Sequence, residues 1–311
     1  MPRFRHALPQ LAARPFLTDG GLETTLVFDE KLELPCFAAF PLIMSPRGRA
    51  LLWRCYQPYI ALAARYDAGL ILDTPTWRAN PDWGAALGYS GDQLRAANGD
   101  AVDFIAALRE ASGRADAIVL NGVIGPRGDG YKVGDAMSAK DAAGYHAPQI
   151  KAFSDSETDM VSAVTLTYAQ EAIGVALAAR EAAMPIVISF TVETDGHLPS
   201  GESIAGAIEA TDDATGAYPA YYMINCAHPL HFEGQLMGDE PWMGRVRGIR
   251  ANASTRSHAE LDAATELDIG DPRALGAHYA GLRRRHPHLT VLGGCCGTDH
   301  RHIAAICEAC L

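Results

Sequence analysis

Short apolar segments recur along nearly the whole chain, and they constrain its fold more than any other feature of the sequence. Each segment is almost continuous in apolar or β-branched residues, which is typical of parallel strands that are buried on both faces. Segments with helical spacing lie between them; in 49–66, for example, Leu52, Tyr56, Tyr59 and Ala63 fall three or four residues apart. The predicted strands are 16–19, 70–73, 118–123, 160–165, 186–191, 221–226, 246–250 and 290–292. The predicted helices are 49–66, 93–111, 140–153, 168–183, 202–211, 272–285 and 300–310.

Eight strands, each followed by a helical or loop crossover, predict an α/β fold with a single (β/α)8 TIM-type barrel. A doubly wound open sheet is the alternative, but no glycine-rich dinucleotide fingerprint follows the first strand. The glycine-rich segment 125–130 lacks the Lys-Ser/Thr of a phosphate-binding loop, so we interpret it as a turn. We find no internal repeat and no linker, and we therefore predict one domain over residues 1–311.

The composition excludes several classes of protein. Of 311 residues, 48% are hydrophobic and 20% charged, which argues against disordered and fibrous chains. The formal charge of −11 argues against a nucleic-acid partner or an anionic membrane surface. No uncharged apolar stretch is long enough to span a membrane, and residues 1–16 lack the apolar core of a signal peptide. We therefore expect a cytoplasmic protein with small-molecule partners; nothing in the sequence specifies its oligomeric state.

Three of the seven cysteines stand at the ends of predicted strands. Cys226 ends the sixth strand, and Cys295 and Cys296 follow the eighth. In a (β/α)8 barrel the active site forms at these carboxyl ends, so the three sulfurs are expected to converge. Three thiolates with an open fourth position are typical of a catalytic zinc site. Spacing alone leaves a second interpretation open, since free cysteines are often small buried residues.

The order of three motifs carries a resemblance to a known family. Asp19-Gly20-Gly21, Asn225-Cys226 and 293–298, which reads Gly-Gly-Cys-Cys-Gly-Thr, resemble the homocysteine S-methyltransferases over about residues 17 to 306. The resemblance implies an enzyme of class EC 2.1.1 with Zn²⁺ on Cys226, Cys295 and Cys296. Its reaction would move a methyl group from a small sulfonium or ammonium donor to the thiolate of homocysteine, giving methionine.

The resemblance also implies how that reaction proceeds. Binding of the acceptor's sulfur to zinc would favour its deprotonation to the nucleophilic thiolate, since a free thiol has a pKa near 8.5. No catalytic acid or base is then expected among the side chains, because the leaving group of a cationic donor departs neutral. S-methylmethionine or S-adenosylmethionine is the first choice of donor, with betaine behind it.

The family's substrate-binding positions carry over only in part. Asp19 matches a carboxylate near the acceptor's amino group, with the amides of Gly20 and Gly21 beside it, and Thr74 follows the second strand where the family contacts substrate. Asn252 matches the asparagine of a turn usually written Tyr-Pro-Asn-Ser-Gly; here 250–254 reads Arg-Ala-Asn-Ala-Ser.

The main departure from the family lies on the fourth strand. Val164 stands where the family usually has a glutamate that helps to hold the homocysteine ammonium. We propose Glu193, just after the fifth strand, as a substitute, although it fits a solvated loop acid equally well. Two alternatives therefore stay open: methyl transfer to another small thiol or selenol, and a non-catalytic zinc-binding or redox-sensing barrel.

An aromatic loop follows the second strand and contains Trp77, Trp83 and Tyr89. Aromatic faces can hold a cationic methyl donor by cation–π attraction. Packing within the loop is the simpler interpretation. His228, two residues after Cys226, is a candidate for the wall of the donor pocket.

Overall fold

The eight predicted strands are present and form one closed parallel barrel in sequence order. The computed structural model describes residues 1–311, and its first strand pairs with both the second and the eighth. The strands are β1 Phe16–Leu17, β2 Gly69–Asp73, β3 Ile118–Ile124, β4 Met160–Leu166, β5 Ile186–Phe190, β6 Tyr221–Asn225, β7 Val246–Ala251 and β8 Val291–Gly294. The (β/α)8 barrel expected from the sequence is thereby confirmed.

All seven predicted helices are present, and two match the predicted bounds at both ends. The α-helices are α1 Leu22–Thr24, α2 Pro46–Arg65, α3 Pro81–Ala86, α4 Gly91–Ala111, α5 Ala139–Ser154, α6 Ala169–Glu181, α7 Ile204–Thr215, α8 Pro229–Phe232, α9 His258–Asp262, α10 Pro272–Arg285 and α11 His300–Cys310. A π-helical turn covers Thr25–Asp29. Short 3-10 turns cover Pro9–Leu11, Pro35–Phe37, Phe40–Met44, Ala115–Ala117, Glu233–Leu236 and Pro241–Arg245. None of the helices has the length and apolar character needed to cross a membrane.

Polar caps fix where the long helices begin. The side chains of Ser45, Ser138 and Ser203 each accept a hydrogen bond from a backbone N–H in the first turn of α2, α5 and α7. Ser90 and Gln93 form a reciprocal capping box at the start of α4. The short helices α1, α3, α8 and α9 were not predicted, since three to six residues carry no periodicity that a sequence can reveal.

Successive side chains of each strand point to opposite faces of the sheet, and this divides the core into two layers. The larger layer packs one face of the strands against the helices and includes Leu17, Leu72 and Leu120. The smaller layer fills the inside of the barrel with residues such as Ile71, Val119 and Val187. The N-terminal segment closes one end of the barrel, where Arg5 donates two hydrogen bonds to the carbonyl of Thr158 just before β4. The opposite end, at the carboxyl ends of the strands, is left open for a site.

Candidate active site

A cavity of about 450 Å³ opens at the carboxyl ends of the barrel strands. Its walls are formed by the loops that follow β1, β2, β3, β6, β7 and β8, together with the carboxyl end of β4. The lining includes Asp19, Gly20, Gly21, Glu23, Asp73, Thr74, Trp77, Arg78, Tyr131, Val164, Thr165, Asn225, Cys226, Arg250, Cys295 and Cys296. The position is the one at which barrel enzymes carry their chemistry.

Three cysteine sulfurs meet in this cavity. The Sγ atoms of Cys226, Cys295 and Cys296 all lie within 4.8 Å of one another, and those of Cys226 and Cys296 are 3.6 Å apart. All seven cysteines of the chain are free thiols, so no disulfide competes for these sulfurs. Residues seventy positions apart in sequence thus form one cluster because β6 and β8 both end at this mouth.

Unusual backbone conformations support the cluster. Cys226 and Thr165 have φ values of 57° and 64°, in the left-handed region that non-glycine residues seldom adopt. Asn225 joins the end of β6 to β4, because its side chain accepts from the Thr165 amide at 2.9 Å and donates to the Thr165 hydroxyl at 2.8 Å. The side-chain nitrogen of Asn225 also lies 3.9 Å from the sulfur of Cys295. Strain of this kind concentrates at functional sites.

The sulfurs share charge unequally. Hydrogen bonds from the thiols of Cys226 and Cys296 hold the pKa of Cys295 well below its ordinary value, with Arg250 acting in the same direction. The pKa of Cys226 is raised, chiefly because its thiol donates to Cys295. The protein alone therefore favours one thiolate held by two thiols. A bound cation would be needed to ionise all three.

Tyr131 covers the cluster, and sequence reasoning missed it. Its hydroxyl lies 3.2 Å from the sulfur of Cys226 and donates to that of Cys296 at 3.5 Å. Its ring stacks on the imidazole of His258, with centroids 4.0 Å apart. The His258 Nε2 is in turn 2.8 Å from the carbonyl oxygen of Cys226. Neither residue follows a strand directly, so no motif pointed to them.

A buried ion-pair triad lies beside the cysteines. The guanidinium of Arg250 donates to Asp19 at 2.5 Å and to Asp73, while the Asn121 side chain donates to Asp73 at 2.7 Å. Burial raises the pKa of the Asp19 carboxyl to about 8 against the lowering effect of Arg250, and the nearby Asp73 carboxylate adds to the rise. Two carboxylates thus share one guanidinium inside the cavity wall.

Two glycines are required by close packing between the first and last strands. A Cβ on Gly293 would lie 1.8 Å from the Thr18 hydroxyl, and one on Gly21 would lie 2.6 Å from the carbonyl oxygen of Cys295. The Gly21 amide donates to the carbonyl of Thr298 at 2.9 Å. The glycines therefore bring the loops after β1 and β8 together, which positions Cys295 and Cys296.

The motifs, the barrel and the cysteine cluster agree with comparisons to known proteins. The homocysteine S-methyltransferase family model matches residues 16–310, nearly the whole chain. This chain belongs to the homocysteine S-methyltransferase family. A comparison with curated protein sequences gave no significant match.

Solved structures agree with the family in fold. The homocysteine methyltransferase MmuM from Escherichia coli, in its oxidized form, superposes with a TM-score of 0.76 at 20% identity, over 98% of this chain and 99% of that one. Its metallated form gives a TM-score of 0.75 at 20% identity, over 97% of this chain and 98% of that one. At this identity the likeness speaks for the fold alone.

Two family positions for substrate lie in different surroundings. Thr74 lines the cavity, where its hydroxyl is 2.6 Å from that of Thr76 and accepts from the Val123 amide. Asn252 lies behind the cluster and donates to the carbonyl of Cys226 at 2.9 Å. This asparagine of the family turn therefore supports the Cys226 loop in the present structure.

The family's missing glutamate leaves an apolar wall. Val164 lines the cavity, and its carbonyl accepts from the indole of Trp77 at 3.3 Å. Glu193, the candidate substitute, lies with one oxygen 3.2 Å from Nδ1 of His258 and is about a third exposed (37%). It does not belong to the cavity lining. Glu193 thus contacts the Cys226 loop through His258.

His228 caps a short helix behind the site. Its Nδ1 accepts from the Leu230 amide at the start of α8, and its ring packs edge-on against His231 and His278. Burial lowers the pKa of His228 to about 4, and the two other histidines add to the shift. The residue is buried and does not line the cavity.

The stability of the protein is therefore expected to fall in mild acid. The unfolded chain takes up a proton on this histidine near pH 6.5, whereas the folded protein does so only near pH 4. The stabilising contribution is complete above about pH 6.5 and is lost as the pH falls toward 4. His228→Asn keeps a capping side chain without the titration, so its urea midpoint should change less between pH 7 and pH 4.5. Equal changes in both proteins would contradict this assignment.

Proposed function

We propose that the protein is a zinc-dependent S-methyltransferase. It transfers a methyl group from a small sulfonium or ammonium donor to the thiolate of homocysteine, giving methionine. The observation that carries the proposal is the cluster of Cys226, Cys295 and Cys296 in the cavity of a homocysteine S-methyltransferase family barrel. Seven free thiols and an expected small-molecule acceptor fit a cytoplasmic setting.

The donor set fits zinc. Zinc–sulfur bonds of about 2.3 Å in a tetrahedron place sulfurs roughly 3.8 Å apart, close to the 3.6 Å between Cys226 and Cys296. Three soft thiolates suit zinc better than hard cations such as magnesium. MmuM from Escherichia coli, a solved structure with this fold, has been obtained in a metallated form, which also supports a metal here. When held by these sulfurs, zinc would favour deprotonation of a substrate thiol at the remaining position.

The chain's own residues shape the environment of the acceptor sulfur. The hydroxyl of Tyr131 covers the open side of the cluster, so an acceptor would have to replace its contacts with Cys226 and Cys296. Val164 and Trp77 supply apolar parts of the wall of the same cavity. In the reaction the acceptor sulfur forms a bond to the methyl carbon, the donor's carbon–heteroatom bond breaks, and the donor leaves neutral. The thiol proton goes to solvent.

The cavity suits a cationic donor. Besides Asp19 and Asp73, its lining contains five acidic side chains: Glu23, Asp129, Asp262, Glu266 and Asp268. Only two arginines, Arg78 and Arg250, oppose them. A surplus of negative charge around a concave site attracts and retains a small cation. This supports a sulfonium or quaternary ammonium donor without choosing between them.

A second acceptor class has a specific observation in its favour. Asp19 is paired with Arg250 at 2.5 Å, and Val164 replaces the family's other carboxylate. The wall that would receive an acceptor ammonium is therefore poorer in free carboxylates than the family pattern implies. Another small thiol or selenol without that ammonium is the second candidate.

Metal content and methyl transfer test the proposal together. Protein purified under reducing conditions should contain about one zinc per chain. It should give labelled methionine from homocysteine with methyl-labelled S-methylmethionine, S-adenosylmethionine or betaine. Transfer only to other thiols or selenols would replace homocysteine by the second candidate. Folded protein without zinc and without transfer would favour a redox-sensing barrel.

A further inference from the structure

Arg78 is a buried cation that nothing so far assigns to a role. It follows β2 in the loop that lines the same cavity as the three cysteines, and it is only 6% exposed. The chain buries two other arginines, and both have carboxylate partners: Arg109 pairs with Asp159, and Arg250 pairs with Asp19 and Asp73. Arg78 has no carboxylate within 4.0 Å.

The contacts of Arg78 hold its guanidinium in place but do not neutralise it. The guanidinium carbon lies 4.0 Å from the ring centroids of both Trp77 and Trp83. One terminal nitrogen donates to the carbonyl of Gly128 at 2.7 Å. The Nε atom is buried without any partner. The two indole faces that looked available for a cationic donor are thus occupied by the protein's own cation.

An unpaired buried charge calls for a partner. Burying a charge without a counter-ion is costly, and burying an N–H without an acceptor adds to the cost. Burial lowers the pKa of Arg78 to about 10 against the weaker attraction of Asp129 and Glu23, so the group stays positive at neutral pH. Arginine binds carboxylates through two parallel hydrogen bonds, and a guanidinium fixed between two rings loses little freedom on doing so.

We propose that Arg78 binds the carboxylate of a small molecule whose reacting end lies at the cysteine cluster. The inference rests on the proposed function and specifies its substrates as carboxylate-bearing. The carboxylate can belong to the acceptor thiol or to the methyl donor, since both enter this cavity. Arg78 thereby sets specificity by charge within the cavity that the cysteines line.

Direct binding tests the inference without relying on turnover. Trp77 and Trp83 contact Arg78, so ligand binding there should change the intrinsic tryptophan fluorescence. Homocysteine is titrated beside 3-aminopropane-1-thiol, which lacks only the carboxylate, and S-methylmethionine beside its decarboxylated analogue. In the wild type the carboxylated member of one pair should bind about 10- to 100-fold more tightly. The pair that shows the difference identifies acceptor or donor as the source of the carboxylate.

Substitution of Arg78 should abolish that preference. In Arg78→Met the two members of the pair should bind alike, whereas Arg127→Met should behave as the wild type. Arg127 is the matched control because it is on the loop after β3, ion-paired to Asp82 and outside the cavity lining. If Arg78→Met does not fold, Arg78→Lys keeps a charge but loses the two-pronged geometry, and it should retain only part of the preference.

The outcomes separate this inference from the proposed function. A preference for the carboxylated ligand that persists in Arg78→Met, or the absence of any preference in the wild type, would overturn the inference even in an active methyltransferase. A preference that depends on Arg78 in a protein that transfers no methyl group would uphold the carboxylate site and overturn only the proposed activity.

Discussion

Replacing Cys295 by alanine is expected to abolish the proposed zinc binding and to lower methyl transfer by more than about 100-fold, since even outer-shell partners of a metal cost roughly 10- to 100-fold when lost. Cys295 is the sulfur that both other thiols support, because hydrogen bonds from Cys226 and Cys296 lower its pKa. Its removal therefore deletes one sulfur ligand of the proposed site and also the hydrogen-bond acceptor of the two remaining thiols. Zinc content by mass spectrometry and transfer of labelled methyl to homocysteine measure the two effects.

A cysteine outside the site provides the control. Cys307 is also buried, but it lies on α11, away from the cavity lining. Cys307→Ala should keep about one zinc per chain, as expected for a single three-sulfur site. It should also lose less than about 3-fold in activity. Zinc retained at the wild-type level in Cys295→Ala would contradict the ligand assignment. Zinc lost in both variants would point to general unfolding, which thermal denaturation would reveal.

The barrel could be predicted from the sequence because its strands are buried on both faces. That burial makes each strand a continuous apolar run, and the predicted run 246–250 differs from β7, Val246–Ala251, by one residue. The order of strands then follows from the parallel crossovers. The short helices α1, α3, α8 and α9 could not be predicted, because their positions depend on contacts made only in the folded barrel.

The candidate site was predictable only where residues follow strands directly. Cys226, Cys295 and Cys296 do so, and the structure brings them together. Arg250 lies near the end of β7. Its partners Asp19 and Asp73 lie after β1 and at the end of β2, so the pairing leaves no local pattern in the sequence. Long-range pairs of this kind require coordinates.

Loop residues were harder still. Arg78 lies between the rings of Trp77 and Trp83. The sequence indicated an aromatic loop, but it did not indicate that the two rings hold this cation. Tyr131 reaches the sulfurs from the long loop after β3, whose glycines predicted only a turn. Side-chain direction in such loops is set by packing and not by any periodicity.

Replacing Arg250 by methionine is expected to destabilise the protein by about 3–5 kcal/mol, the usual result of removing one member of a buried ion pair. The side chains of Arg250, Asp19 and Asp73 are 11%, 9% and 6% exposed, so water screens them little. Without the guanidinium, two neighbouring carboxylates would lose their common counter-ion. Urea denaturation at pH 7 measures the free energy of unfolding.

The same strand supplies a matched control, and the triad supplies a compensating change. Arg247, on β7 with Arg250, donates to the carbonyl of Leu11 in an exposed position, so Arg247→Met should cost less than about 1 kcal/mol. Adding Asp19→Asn to Arg250→Met replaces one of the two carboxyls left without their partner by a neutral amide, and it should recover part of the lost stability. If the double variant is no more stable than Arg250→Met alone, the cost comes from lost packing of the arginine stem. The loss of the guanidinium as hydrogen-bond partner of Asp19 would then contribute little. Recovery in the double variant would instead establish that the Asp19 carboxyl depends on Arg250 as its buried partner. That pairing limits what an acceptor ammonium can find in this wall.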